Sequence, residues 1–204
     1  FSNINVTLSR PALGGVIARL SSENAERPWE ISAALRPLDG GVRAVGLEAR
    51  KVSVADILLA LRVGEGVVES NLPLSASVRG EFSPNGTLRN ARGQIVAESG
   101  YVRDPTDPAS GVAVDHADIR FTWDGERRSL IVPFQFQGGG VQFTMAAKVE
   151  PDQRGGWGVE IARSDPVIDP VIFSPGNDST EGGFALNRLS IRARLDLEQH
   201  KFII

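Results

Sequence analysis

Cysteine is absent from this 204-residue chain. That excludes disulfides, thiolate metal sites and a cysteine nucleophile, and it suits a periplasmic or a cytosolic protein equally. Histidine is scarce, with only His116 and His200, and there is one tyrosine among the thirteen aromatics. No charge sign dominates: 22 Lys and Arg stand against 25 Asp and Glu, for a net charge of -3. Such a balance carries no electrostatic footprint for nucleic acid. No apolar run reaches the ~18 residues that a membrane helix needs. The opening Phe1-Ser2-Asn3-Ile4 lacks the basic-then-apolar order of a signal peptide.

Catalytic motifs are missing as well. There is no Gly-x-Ser-x-Gly elbow, and Gly64-Glu65-Gly66 lacks the third glycine of a dinucleotide fingerprint. His116 between Asp115 and Asp118 offers too few firm ligands for zinc, and a solvated strand face accounts for all three. Arg127-Arg128 after Asp124-Gly125-Glu126 reads as a hairpin end, and the basic residues do not cluster with aromatics. Asn5-Val6-Thr7, Asn85-Gly86-Thr87 and Asn177-Asp178-Ser179 match the glycosylation tripeptide, a pattern short enough to arise by chance. The expectation is a non-enzymatic protein with no cofactor and no metal.

What the chain does have is alternation with period 2. Val141, Phe143, Met145, Ala147 and Val149 fall on one face of a strand, with Gln142, Thr144, Lys148 and Glu150 on the other. Leu189, Ile191, Ala193, Leu195 and Leu197 alternate in the same way with Ser190, Arg192, Arg194, Asp196 and Glu198. Shorter runs repeat it: Ile4, Val6 and Leu8; Trp29, Ile31, Ala33 and Leu35; Leu72, Leu74, Ala76 and Val78. So do Ile119, Phe121 and Trp123; Leu130, Val132, Phe134 and Phe136; and Trp157, Val159 and Ile161. One apolar and one wet face per strand is the mark of antiparallel sheets.

Glycine pairs punctuate the strands. Asn85-Gly86 and Asp124-Gly125 suit two-residue hairpin turns, in which both central residues take positive φ. Gly14-Gly15, Gly40-Gly41 and Gly138-Gly139-Gly140 mark others. Ser53-Val54-Ala55-Asp56 resembles a capping box, and Val54, Ile57, Leu58 and Leu61 follow at helical spacing. This predicts a short amphipathic helix over 53–62. Arg103-Asp104-Pro105-Thr106-Asp107-Pro108 and the run from Ser164 to Gly183 are too rich in proline and turn residues for strands, and read as loops. The expected fold is all-β, one domain over 1–204. It is a large curved antiparallel meander sheet, an open groove or half-barrel, with one short helix. The strand patterns at Phe1–Leu8 and Phe184–Ile204 look like pieces of a longer sheet, which predicts edge-strand pairing with neighbouring copies or repeats.

An apolar sheet face must be covered. Each methylene moved into water costs about 0.8 kcal/mol, so a sixteen-carbon chain costs on the order of 12 kcal/mol. A protein that carries lipid through water needs a continuous apolar lining to replace that contact. The candidate lining is Leu74, Ala76 and Val78; Ile119, Phe121 and Trp123; Val132, Phe134 and Phe136; Val141, Phe143, Met145 and Val149; and Leu189, Ile191 and Leu195.

The run Leu72 to Phe82, then Asn85-Gly86-Thr87-Leu88, then Ala91-Arg92-Gly93-Gln94-Ile95, resembles the strand-glycine-turn-strand pattern of AsmA-like proteins. Residues 117–151, with Trp123-Asp124-Gly125, and Phe184 to Ile191 are similar to it too. AsmA-like proteins, with their YhdP and TamB relatives, belong to the Gram-negative envelope. The resemblance implies a periplasmic β-groove, tethered to the inner membrane by parts outside this chain, that conducts phospholipid acyl chains towards the outer membrane. The competing expectations are a transmembrane β-barrel, for which one tyrosine and three tryptophans make weak girdles, and a β-sandwich binding or structural module of the envelope.

Overall fold

The computed structural model describes residues 4–12, 14–22, 28–54, 56–57, 69–153, 156–163, 171–173, 183–186, 189–196 and 201–203. They form seventeen strands. The first four are β1 (Ile4–Ser9), β2 (Val16–Ser22), β3 (Trp29–Pro37) and β4 (Arg43–Ser53). Then come β5 (Glu69–Ser70), β6 (Pro73–Phe82), β7 (Leu88–Ala97), β8 (Gly100–Asp104), β9 (Asp107–Val114) and β10 (His116–Asp124). The long central strands continue with β11 (Ser129–Gly138), β12 (Val141–Pro151) and β13 (Trp157–Arg163). The last are β14 (Val171–Phe173), β15 (Phe184–Leu186), β16 (Ser190–Asp196) and β17 (Lys201–Ile203).

Fourteen of these strands form one antiparallel sheet in the order β1-β2-β3-β4-β6-β7-β10-β11-β12-β13-β16-β17, with β14 and β15 branching from β12. The order follows the chain, so the sheet is the expected meander. Among the described residues no pairing joins β1 to β17, and the sheet is not closed into a barrel. The remaining three strands, β5-β8-β9, make a small separate sheet inserted between β4 and β10.

Local chemistry explains the departures from regularity. In β4 the register slips between Ala49 and Val52, so that Arg50 and Lys51 together oppose Ser75. Lys51 takes φ 53°, and its N–H donates to Ser75 Oγ at 3.2 Å. The extra residue changes the parity of the strand, so Ala49 and Val52 both reach the apolar side. In β11 Pro133 has no N–H to give. The ladder to β10 is interrupted beside it, with paired positions resuming at Ile119–Phe134 on one side and Thr122–Ile131 on the other.

Several expectations are corrected here. Asn85-Gly86 is not a two-residue turn. Ser83 accepts from the Gly86 N–H and donates to Thr87 O, and of the pair only Gly86 has positive φ (85°), so this is a three-residue turn ending in a bulge. After Asp124 the turn has four residues, and positive φ falls on Arg128 (52°) rather than on Gly125. The Asp124 carboxylate accepts from the N–H groups of Glu126 and Arg127 and winds that turn. The two-residue form with positive φ at both positions occurs at Gly139-Gly140.

The segment 103–108 is a hairpin tip, not a loop: β8 runs to Asp104 and β9 begins at Asp107. Asp104 accepts from the N–H and hydroxyl of Thr106, which tightens the two-residue connection. Within 164–183 lies the short strand β14. It continues the line of β13 along the same edge of β12, since Arg163 pairs with Met145 and Ile172 with Gln142. β15 and β16 follow this interrupted strand in turn. Of the helix expected over 53–62, Ser53 closes β4 and Val54, Asp56 and Ile57 are helical; Ala55 and 58–62 lie outside the described residues, as do Leu197 and His200.

Candidate functional site: an uncovered apolar face

Cross-strand pairing lines the apolar residues up in rows. One row runs Val6, Leu20, Ile31, Ala49, Ala76, Ile95, Ile119, Phe134, Met145 across nine strands. Eight steps of about 4.8 Å make it roughly 38 Å long. The row ends on Arg163, opposite Met145.

The other candidates fall into neighbouring rows on the same face. Leu74 pairs with Ala97, Ala97 with Ala117, Ala117 with Phe136 and Phe136 with Phe143. Val78 pairs with Gly93 and Gly93 with Phe121, and the Val132 row continues through Ala147 and Ile161 to Ile191. Trp123 reaches Val149 through Leu130, while Leu195 pairs with Trp157. Val141 pairs with Phe173, whose ring stacks on Phe184 at 4.8 Å. Leu189 lies just before β16.

The rows that sequence reading missed are those on β2 and β4: Val16, Ala18 and Leu20, and Val45, Leu47 and Ala49. Their alternation is plain, but alanine and glycine in those runs make it shallow.

The aromatic half of the face is ordered by ring contacts. Phe143 stacks on Phe136 at 5.3 Å and meets Phe134 edge-on at 6.0 Å. Trp123 and Trp157 lie 6.0 Å apart, and the Arg128 guanidinium sits over the Trp157 ring at 5.1 Å. The Phe121 ring lies over Gly93, where an added Cβ would come within 2.5 Å of it.

This face has no second layer among the described residues except at one end. There the β8–β9 hairpin packs on it: Leu72, Ala97 and Val114 form a buried cluster against which Val54, Leu74, Val102, Ala117 and Phe136 pack. Gly138 makes this possible, since a Cβ there would meet Ala113 O and Val114 Cα of β9. Elsewhere the face is half-exposed. Only six hydrophobic residues are buried among those described, and Met145 is the one candidate among them. The accessible surface is 14176 Å². A compact monomer of 21.9 kDa exposes about 9300 Å².

The opposite face is polar and self-satisfied over β10 to β16. Asp118 accepts from Gln94 and pairs with Arg120, both at 2.9 Å. Lys148 pairs with Glu150 at 2.9 Å and Arg192 with Glu160 at 3.0 Å. Lys148, with Ser129 adding a smaller effect, holds the Glu150 carboxyl below its ordinary range. His116 is exposed on this face, and no group of three or more His, Cys, Asp or Glu able to hold a metal occurs among the described residues. No helix of the described residues is long and apolar enough to cross a membrane.

Comparison of the chain with family models, with curated proteins and with solved structures found no match.

Proposed function

We propose that the apolar face is a lipid-binding groove that holds phospholipid acyl chains, as part of a non-enzymatic protein of the Gram-negative periplasm. The observation that carries this reading is the uncovered face itself: apolar rows crossing nine strands with half-exposed side chains. Soluble monomers rarely leave more than a few hundred Å² of contiguous apolar surface bare, so this face has an occupant.

The chemistry of the face selects that occupant. Its rows offer few hydrogen-bonding side chains, chiefly Arg163 beside Met145 and Arg43 in the marginal row between Pro37 and Phe82. An extended peptide laid there would leave its backbone groups unsatisfied. An acyl chain asks for no hydrogen bond. One leaflet's hydrocarbon is roughly 15 Å deep, half of a bilayer core, so a row of roughly 38 Å accommodates a full chain along its length. The resemblance to AsmA-like proteins points the same way, and it supplies the envelope location and a membrane tether outside this chain.

The test uses two neighbouring positions. Phe143 lies among the aromatic rings, while Thr144 faces the polar side opposite Gln135. Phe143→Asp puts a carboxylate where chains pass, and a charge resists leaving water. Lipid recovered with the purified protein, read by native mass spectrometry, falls sharply in Phe143→Asp and stays unchanged in Thr144→Asp. Both variants keep a β-sheet circular dichroism spectrum, because the face is open and the acid reaches water. A wild type that never carries lipid, together with outright unfolding of Phe143→Asp, makes the face an ordinary interior and removes the proposal.

A further inference from the structure

The polar face carries its own unassigned feature. Across β2, β3, β4, β6, β7 and β10 it holds a recess of about 810 Å³. Ala34, Ala44 and Gly46 supply small floor residues, and a Cβ added at Gly46 would meet nothing within 4 Å. Four arginines line the recess, Arg19, Arg36, Arg79 and Arg92, against two glutamates, Glu48 and Glu81.

Arg79 and Arg92 are directly opposite each other in the β6–β7 register. Like charges in that position repel and destabilise the pair. Among the described residues no direct contact offsets it: none of the four guanidinium groups forms an ion pair or hydrogen bond. The nearest acid on the same strand, Glu81, accepts instead from the Asn90 amide at 2.9 Å. Arg36 faces the same recess from β3, one strand beyond β4, whose Ala44 and Gly46 leave the intervening space open.

From this we infer that the recess binds a phosphate group, with Arg79 and Arg92 as its paired ligands. Two opposed guanidinium forks converge on one anion with several oxygens, and four arginines against two glutamates leave a surplus of two positive charges that a phosphate dianion neutralises. A carboxylate supplies two oxygens and one charge, and the two glutamates already present do not engage the arginines. The shared chemistry is a phosphate with three free oxygens, a monoester that is either free or carried by a lipid headgroup. The site lies on the face opposite the apolar rows and stands independently of the lipid-groove reading.

The experiment titrates the full chain with inorganic phosphate by calorimetry, and in parallel measures flotation with vesicles containing phosphatidic acid, a phosphate monoester, against phosphatidylcholine vesicles. Saturable binding in the wild type, weakened about tenfold or more in Arg79→Gln and Arg92→Gln, establishes the site. Arg127→Gln, an exposed arginine outside the recess, leaves it unchanged. Loss confined to the phosphatidic acid arm identifies a headgroup as the source, and loss in the phosphate arm a free ester. Arg79→Gln also raises the melting temperature in phosphate-free, low-salt buffer by removing the repulsion, and phosphate no longer raises it further. Equal binding in variants and wild type, no saturable binding in either arm, or a lowered melting temperature in Arg79→Gln overturns the inference.

Discussion

Gly93 lacks a side chain at a place where the sheet has no room for one. It pairs with Phe121, whose ring covers it; an added Cβ would lie 2.5 Å from that ring and 2.8 Å from the Ser77 carbonyl oxygen. The ring can swing, but the carbonyl belongs to β6 and is fixed by the ladder. Alanine has the better strand propensity, a gain of a few tenths of a kcal/mol at most, and steric conflict in a packed position costs about 1–3 kcal/mol. Gly93→Ala is therefore expected to lower stability by roughly 1–3 kcal/mol, read as a shift in urea midpoint. An unchanged midpoint means that Phe121 moves freely and is not seated on the strand. The same logic separates glycines that look alike in sequence. Gly125 is required because Leu88 O and Arg89 O approach within 2.5 Å of its missing Cβ, whereas Gly86 is required for its φ of 85°. The letters Asp-Gly and Asn-Gly do not distinguish a close approach from a turn conformation, and both turns proved longer than two residues.

Among the elements, those with strong one-sided alternation were legible from the start. β12 and β16 alternate in sequence, and among the described side chains neither buries one on its polar side, so their faces follow directly from period 2. The small β5-β8-β9 sheet was not legible, because its apolar side, Val102 with Val112 and Val114, is too short to show as alternation, and side-chain pairs complete the hold on its strands. β9 tolerates Pro108 since it is the edge of that sheet and needs no outward N–H. The strongest such pair is Glu69 with Arg103, a two-pronged contact at 2.7 and 2.9 Å, to which Tyr101 adds a hydroxyl donated to Glu69 at 2.9 Å. Arg103, and after it Tyr101, holds the Glu69 carboxyl below its ordinary value of 4.5. A depressed carboxylate stabilises the fold above its unfolded pKa, and that contribution disappears as pH falls through the lower folded value. Acid below about 4.5 is thus expected to loosen β5 from β8 while leaving the large sheet intact. Tyr101 is the only tyrosine in the chain. The nuclear magnetic resonance signal of selectively labelled tyrosine reports the change, and Glu69→Gln abolishes its pH dependence. A tyrosine signal that titrates identically in Glu69→Gln rules out Glu69 as the acid-sensitive contact. Since this sheet packs over Leu74 and Phe136 through the cluster at Leu72, Ala97 and Val114, its loosening uncovers one end of the apolar face.

At the scale of the whole molecule, an open meander has two edges, and β1 is the less protected. It reads Ile-Asn-Val-Thr-Leu-Ser, with no charge and no proline. Val6 is 70% and Leu8 73% exposed, although both stand in apolar rows beside Leu20 and Ala18. One side of the strand pairs with β2; the other carries no partner among the described residues. Natural edges resist pairing by means of inward charges, bulges or proline, and β1 has none of these. A strand added there would extend the apolar rows as well as the backbone ladder, so hydrogen bonding and apolar burial favour the same register. Antiparallel pairing of β1 with β1 of a second copy meets both demands, because such a contact is two-fold symmetric and closes. The isolated chain is therefore expected to associate with rising concentration. Val6→Lys with Leu8→Lys places two charges on the apolar side of that edge and should move the equilibrium by at least tenfold towards monomer, since each lysine must be desolvated or splayed outward to admit a partner. Sedimentation velocity over a concentration series measures this directly. Unchanged association in the double variant moves the contact elsewhere, to the β17 edge or to the apolar face itself. A Phe143→Asp variant that turns monomeric while the lysine variant still associates then identifies the face.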